Sequence, residues 1–309
     1  MKSYRNTWLS FVFAVIGAAA SFGQVQSPAP PAPAIKLNTD IVNLRVTVTD
    51  RRNVAVTGLE PQHFQVYENN VQQQIEYFLC EDEPLSIGII FDLSGSMKKK
   101  LPNSREAVKT FMQTSHQDDD FFLLGFNRQC DLMADFADAD SITSRLEATK
   151  AEGRTALYDA VYLGIEKLRS GRHAKRALLI VSDGADNASR FSKGDLYRLL
   201  REENILIYCI GYEIWAGGDD DWGRSTLEDL ARKTGGAAFF PDSATELEEA
   251  VSTIALELRR QYSLAYTARA GERERQWRKI KVRVSPPTEG LKLRVRTREG
   301  YYAMIGTDQ

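Results

Sequence analysis

Three short runs of unbroken apolar residues constrain this chain more than anything else in it. Residues 87–91 read Ile-Gly-Ile-Ile-Phe, 177–181 read Ala-Leu-Leu-Ile-Val and 205–210 read Ile-Leu-Ile-Tyr-Cys-Ile. A strand with one wet face alternates apolar and polar residues. A run without alternation asks for burial on both faces, as in a parallel sheet covered by helices. Helical patterning lies between these runs, near 105–114 and over 141–151, 156–168, 193–203, 225–233 and 245–260. In the last of these, Leu247, Val251, Ile254 and Leu258 recur at helical spacing. Gly235-Gly236 stops the fifth helix. Shorter strands are expected at 121–126, 132–136 and 237–240. The alternation predicts an α/β fold: a Rossmann-like, doubly wound, mainly parallel sheet.

The flanks are β. Val42, Leu44, Val46 and Val48 alternate with polar residues, and 64–67 and 71–78 flank Asn69-Asn70, a pair suited to a two-residue hairpin turn. Near the other end, Ile280, Val282 and Val284, and then Leu291, Leu293 and Val295, alternate with lysines and arginines. Each set has too few strands for a stable sheet alone. They are therefore expected to pair into a smaller β-sandwich-like domain with the α/β domain inserted. The expected organisation is a signal peptide over 1–23, a proline-rich linker over 24–34, the amino-terminal sandwich segment over 35–82, the α/β domain over 83–260 and the carboxy-terminal sandwich segment over 261–305.

Lys2 and Arg5, the apolar run 8–20 and the small residues Ser21 and Gly23 form a secretory signal peptide pattern. The run is shorter than the roughly 20 residues of a membrane span. Export to the periplasm or cell surface is expected, with no stable membrane span after cleavage. The formal net charge of −2 argues against nucleic acid as a partner. No Cys-x-x-Cys and no zinc-spaced histidine pair occurs among the three cysteines and three histidines. Cys209 reads as a buried small hydrophobe, while Cys80 and Cys130 could pair in an oxidising compartment.

Ligand sites in such folds lie outside the carboxyl ends of the strands. The apolar strand 87–91 ends in Asp92-Leu93-Ser94-Gly95-Ser96 and the strand 177–181 in Ser182-Asp183-Gly184, while Gly153-Arg154-Thr155 opens a helix between them. Asp92, Ser94, Ser96, Thr155 and Asp183 can therefore converge as two carboxylates and three hydroxyls. That hard-oxygen set favours Mg²⁺, or Mn²⁺ or Ca²⁺, over zinc or copper.

These five residues, with the apolar strand before each aspartate, resemble the metal-ion-dependent adhesion site of von Willebrand factor type A domains. The flanks 45–50, 64–78, 261–266 and 298–301 look like those of exported type-A-related proteins common in acidobacteria. The resemblance implies a non-catalytic adhesion module. Its cation would be held by Ser94, Ser96 and Thr155, with Asp92 and Asp183 binding directly or through water. One coordination position would be left for an Asp or Glu carboxylate of a protein partner. It also implies that the helix 245–260 can act as an affinity switch.

Two other readings stay beside this one. The fold could be an envelope scaffold whose metal is structural or absent. As a serine hydrolase it would need a base near Ser94 or Ser96, and His63, His116 and His173 carry no motif tying them there. The segment 213–224, with Gly217-Gly218-Asp219-Asp220-Asp221-Trp222, reads as a solvated loop overhanging the metal edge or as a specificity loop. Asp118-Asp119-Asp120 reads as solvated at the opposite edge, and Asp138-Ala-Asp140 lacks the ligands of a calcium loop. The 13 Lys or Arg against 4 Asp or Glu over 259–303 read as the wet face of edge strands, with a surface for an anionic partner as the other reading.

Overall fold

Strand β1 (Asp40–Thr49) is the first element of the fold in a computed structural model that describes residues 40–80, 82–212, 221–268, 276–288 and 290–302. The expected signal peptide, the proline-rich linker and residues 213–220 of the overhanging loop lie outside the described residues. Val42, Leu44, Val46 and Val48 of β1 are all buried. A hairpin follows: β2 (Phe64–Glu68) and β3 (Val71–Gln73) pair antiparallel. Between them Asn69 and Asn70 take φ of 48° and 67°, the left-handed region that a tight hairpin turn demands and asparagine tolerates. The expected strand 71–78 is broken. After β3 the chain crosses over, with Ile75 packed against the core, and β4 (Tyr77–Leu79) joins a different sheet.

The α/β layer comes next. Its elements are β5 (Leu85–Asp92), α1 (Leu101–Thr114), β6 (Asp120–Phe126), β7 (Cys130–Ala137), α2 (Ala139–Glu147), α3 (Leu157–Leu168), β8 (Lys175–Ser182), α4 (Lys193–Glu202), β9 (Leu206–Gly211), α5 (Asp221–Thr234), β10 (Ala238–Phe239) and α6 (Ala244–Arg259). The strands form one sheet in the order β10-β9-β8-β5-β6-β7. All neighbours are parallel except β6 and β7, which pair antiparallel at the edge with register shifts. Every residue of β5 and β9 is buried, as their unbroken apolar runs require. Ile87, Ile89 and Phe91 point to one side and pack with α1, α2 and α6. Ile90 points to the other and packs with α3, α4 and α5.

The chain then returns through β11 (Tyr262–Ala268), β12 (Trp277–Val284), β13 (Arg294–Arg296) and β14 (Gly300–Tyr302). These pair with the first strands, giving two antiparallel sheets in the orders β13-β1-β11-β4 and β14-β12-β2-β3. Leu44 and Val46, Phe64 and Val66, Leu264, Ile280 and Val282 close one shared apolar core between them. The fold is thus a doubly wound sheet inserted in a β-sandwich made by both flanks.

Several local expectations change. Helices α1 and α5 each begin four residues earlier than the periodicity indicated. Strand β12 is interior in its sheet, and Arg278 points inward, 6% exposed, onto Glu68 at 2.8 Å. Lys279, Lys281 and Arg283 keep the expected wet face. Asp119 is not simply solvated: its carboxylate accepts from the backbone N–H groups of Leu85 and His116. Asp138 is the N-cap of α2 and accepts from the Ser141 N–H. Cys80, Cys130 and Cys209 are all free thiols. Among the described residues, no helix is long and apolar enough to cross a membrane.

At the amino end of β8, Lys175 is 3% exposed and its ammonium donates to the Leu258 carbonyl, satisfying one of the orphan oxygens at the end of α6. Burial pulls this lysine down to about 8, with the Arg45 charge acting in the same direction. The folded protein therefore sheds this proton before the unfolded chain does. Stability should rise between about pH 8 and pH 10, by up to about 1.4 kcal/mol per pH unit. The variant Lys175→Met should lack that rise. Urea denaturation of both proteins across this range measures the difference, and parallel profiles would refute the assignment.

Candidate metal centre

The carboxyl ends of β5 and β8 lie side by side, because these strands pair in register from Leu85 and Lys175 to Phe91 and Val181. Asp92 is the last residue of β5, and Ser182 the last of β8. One oxygen of Asp92 accepts from the Ser94 N–H at 2.8 Å and the other from the Ser182 hydroxyl at 2.6 Å. The Ser182 oxygen in turn accepts from the Gly184 N–H at 3.0 Å. The Ser94 and Ser96 hydroxyl oxygens are 3.0 Å apart.

Backbone bonds bring the third loop in. Glu152 N–H donates to the Leu93 carbonyl at 2.7 Å, and Gly95 N–H to the Gly153 carbonyl at 3.1 Å. Thr155 is then laced to the loop after Asp183. Its N–H donates to the Asn187 side-chain oxygen at 3.0 Å, and its carbonyl accepts from the Asn187 and Ala188 N–H groups at 2.9 and 3.0 Å. Asp92, Ser94, Thr155 and Asp183 are buried and Ser96 is exposed, so the cluster has one wet rim.

Two buried carboxylates share this small space. Burial, and next the charge of Asp183, push the Asp92 carboxyl up to about 6, against the hydrogen bonds of Ser182 and Ser94. Asp183 accepts from the Ala185 N–H with one oxygen, at 3.2 Å, while its other oxygen is buried with no hydrogen-bond partner. A buried carboxylate oxygen without a partner is costly. Among the described residues no three His, Cys, Asp or Glu side chains gather as a metal-binding group. A cation here would therefore lean on hydroxyls beside two carboxylates, which fits a hard divalent ion.

Several supporting residues escaped the sequence reading. Ser182 orients Asp92, and Asn187 fixes Thr155. Asp159, 5% exposed, accepts from the Arg190 and Phe191 N–H groups, both at 2.8 Å, and so pins the loop after Asp183 onto α3. A carboxylate between Tyr158 and Ala160 on an apolar helix was the available signal. No histidine stands beside the serines. His116 and His173 lie by the amino ends of β6 and β8, and His63 precedes β2.

Gly184 has φ of +82°, and a Cβ there would lie 2.2 Å from the Gly223 carbonyl oxygen, in the first turn of α5. Gly184→Ala should therefore cost roughly 2 kcal/mol or more, from left-handed strain plus the backbone clash. A urea midpoint equal to wild type would show that α5 does not press on Asp183-Gly184.

Residues 87–185 match the sequence profile of the von Willebrand factor type A domain, a span that includes all five candidate ligands. The chain contains a von Willebrand factor type A domain. The uncharacterized protein sll0103 of Synechocystis sp. is 22% identical over 174 residues, which are 53% of this chain and 39% of that protein. The chain thus spans well under half the length of that curated relative. Among solved structures, von Willebrand factor type A from Catenulispora acidiphila has a TM-score of 0.47 at 13% identity, covering 83% of this chain and 72% of that one. Proximal thread matrix protein 1 from the mussel byssus, solved with a zinc-occupied MIDAS motif, has a TM-score of 0.47 at 18% identity, covering 63% of this chain and 50% of its own. In this chain's type A domain, all three candidate loops leave the carboxyl edge of the sheet or open α3 beside it.

Proposed function

We propose that this chain is an exported, divalent-cation-dependent protein-binding module. Asp92, Ser94, Ser96, Thr155 and Asp183 would hold one Mg²⁺, Mn²⁺ or Ca²⁺. The carrying observation is the unpartnered, buried oxygen of Asp183, whose charge acts on the buried Asp92. Two carboxylates balance one divalent charge, and the bound cation would supply a Lewis-acidic position for an Asp or Glu carboxylate of a partner protein. The residues around it do the positioning. Ser182 orients Asp92, Asn187 orients Thr155, and Asp159 holds the loop behind Asp183. Ser96, on the exposed rim, is where a partner would approach.

In this reading residues 83–260 are the ligand-binding module, and 35–82 with 261–305 are the β flank that carries it. The charged start and apolar run within residues 1–23 support export, which would place the centre in the periplasm or at the cell surface.

Calorimetric titration of Mg²⁺, Mn²⁺ and Ca²⁺ into metal-stripped protein tests the proposal directly. A single site is expected for at least one ion. Absence of binding for all three would reduce the type A domain here to a metal-free scaffold.

A further inference from the structure

The turn that carries Ser94 and Ser96 continues into three lysines, Lys98, Lys99 and Lys100. The first two are exposed, but the third is not free. Its N–H donates to the Met97 carbonyl at 2.9 Å, and its own carbonyl receives the Ser104 N–H at 3.0 Å, so the backbone is fixed at the start of α1. Its ammonium donates to the Tyr212 carbonyl at 3.4 Å and lies 5.6 Å from the centre of the Tyr212 ring. Tyr212 follows β9, and its N–H donates to the Ser182 carbonyl, one residue before Asp183. The side chain therefore reaches from the serine turn across the carboxyl ends of β9 and β8. Burial lowers the ammonium from its ordinary value, and the negative charges of Asp183 and then Asp92 push it back up.

We infer that Lys100 is a specificity-determining residue of the metal centre: a tethered cation that gives the loaded site a surplus positive charge, so that its open position selects an anionic carboxylate.

The inference rests on the metal reading above. Asp92 and Asp183 together neutralise a divalent ion, and a centre with zero net charge would hold a water or a neutral oxygen nearly as well as a carboxylate. One fixed ammonium changes that balance. It repels the metal and attracts the ligand, so it weakens the first binding event and strengthens the second. A tethered charge is needed for this, because a mobile surface lysine is screened by water and salt. Exposed Lys98, Lys99 and Arg154 on the same rim add steering at longer range. Partners presenting an acidic side chain are favoured, and partners offering only amide or hydroxyl oxygens are discriminated against.

The test uses the full chain, Mn²⁺ as the metal and acetate as the carboxylate probe. Calorimetry gives the Mn²⁺ affinity, and paramagnetic broadening of the acetate methyl resonance by Mn²⁺-loaded protein reports access of the carboxylate. Lys100→Met and Lys100→Gln should each bind Mn²⁺ roughly tenfold more tightly and broaden acetate several-fold less, while Lys100→Arg keeps both values. Wild-type protein that binds Mn²⁺ while Lys100→Met and Lys100→Gln bind it with unchanged or weaker affinity would overturn the role of Lys100 alone. Unchanged acetate broadening in those two variants would do the same. Wild-type protein that takes up no Mn²⁺ would overturn the metal reading and this inference together.

Discussion

Asp92→Ala should abolish the thermal stabilisation that Mg²⁺ gives the wild-type protein. At a metal concentration of about 100 times Kd, a single site stabilises the folded state by about 2.7 kcal/mol. For a domain of this size that corresponds to a rise of roughly 5–10 °C in Tm between EDTA and Mg²⁺. In Asp92→Ala the two melting curves should superimpose. Asp92→Asn separates loss of metal from damage to the fold. The Asp92 carboxyl is held up at about 6 chiefly by burial and then by Asp183. At neutral pH its ionised form is therefore a cost that the amide removes. Metal-free Asp92→Asn should be more stable than metal-free wild type, by on the order of 2 kcal/mol, yet gain nothing from Mg²⁺. The amide can keep both contacts, accepting from the Ser94 N–H and donating to the Ser182 hydroxyl. A metal response retained in Asp92→Asn would remove Asp92 from the ligand set.

The candidate site was legible in the sequence because each proposed ligand sits where an apolar strand stops or a helix opens. Period-two and unbroken apolar runs fix those strand ends, and ligands in an open sheet gather beyond them. The helix starts were harder to read. Pro102 lies in the first turn of α1, where the missing N–H costs nothing, yet the apolar spacing emerges only from Ala107 onward. Glycine and acidic residues before α5 likewise hid its first turn. The inward-facing ionic residues of the flank were illegible for a different reason. Arg278 meets Glu68, and both Tyr266 and Tyr301 donate their hydroxyls to the same carboxylate, at 2.7 and 2.8 Å. These partners are some two hundred residues apart, so no local period marks them. A lysine-and-arginine alternation looks the same whether one of its members turns inward or not.

The ion pair between Glu257 and Arg296 is the other place where a large effect is expected. Glu257 lies on α6 and is 1% exposed. Its carboxylate accepts from the Arg296 guanidinium on β13. Around them Gln261 donates to the Thr47 hydroxyl at 3.1 Å. One oxygen of Glu257, the Arg296 Nε, the Gln261 oxygen and the Tyr208 hydroxyl are buried without hydrogen-bond partners. Removing one member of a buried pair leaves the other charge stranded, a cost of about 3–5 kcal/mol. Glu257→Leu and Arg296→Met should each lose that much. The double variant should recover most of it, since an apolar pair of similar volume replaces an ion pair whose desolvation was never fully compensated. A double-mutant cycle in urea gives the coupling, and single losses below about 1 kcal/mol would show that water already screens the pair. The same pair decides how freely α6 can move. Sliding α6 along its axis would have to break Glu257 from Arg296, Gln261 from Thr47 and the Leu258 carbonyl from Lys175. Of these ties the Glu257–Arg296 pair is the one that joins α6 itself to the β flank, so the double variant should exchange the backbone amides of α6 with solvent faster than wild type at equal global stability. Unchanged exchange would mean that the ion pair does not hold the helix, and that the apolar contacts of Val251, Ile254 and Leu258 with the two remaining ties do.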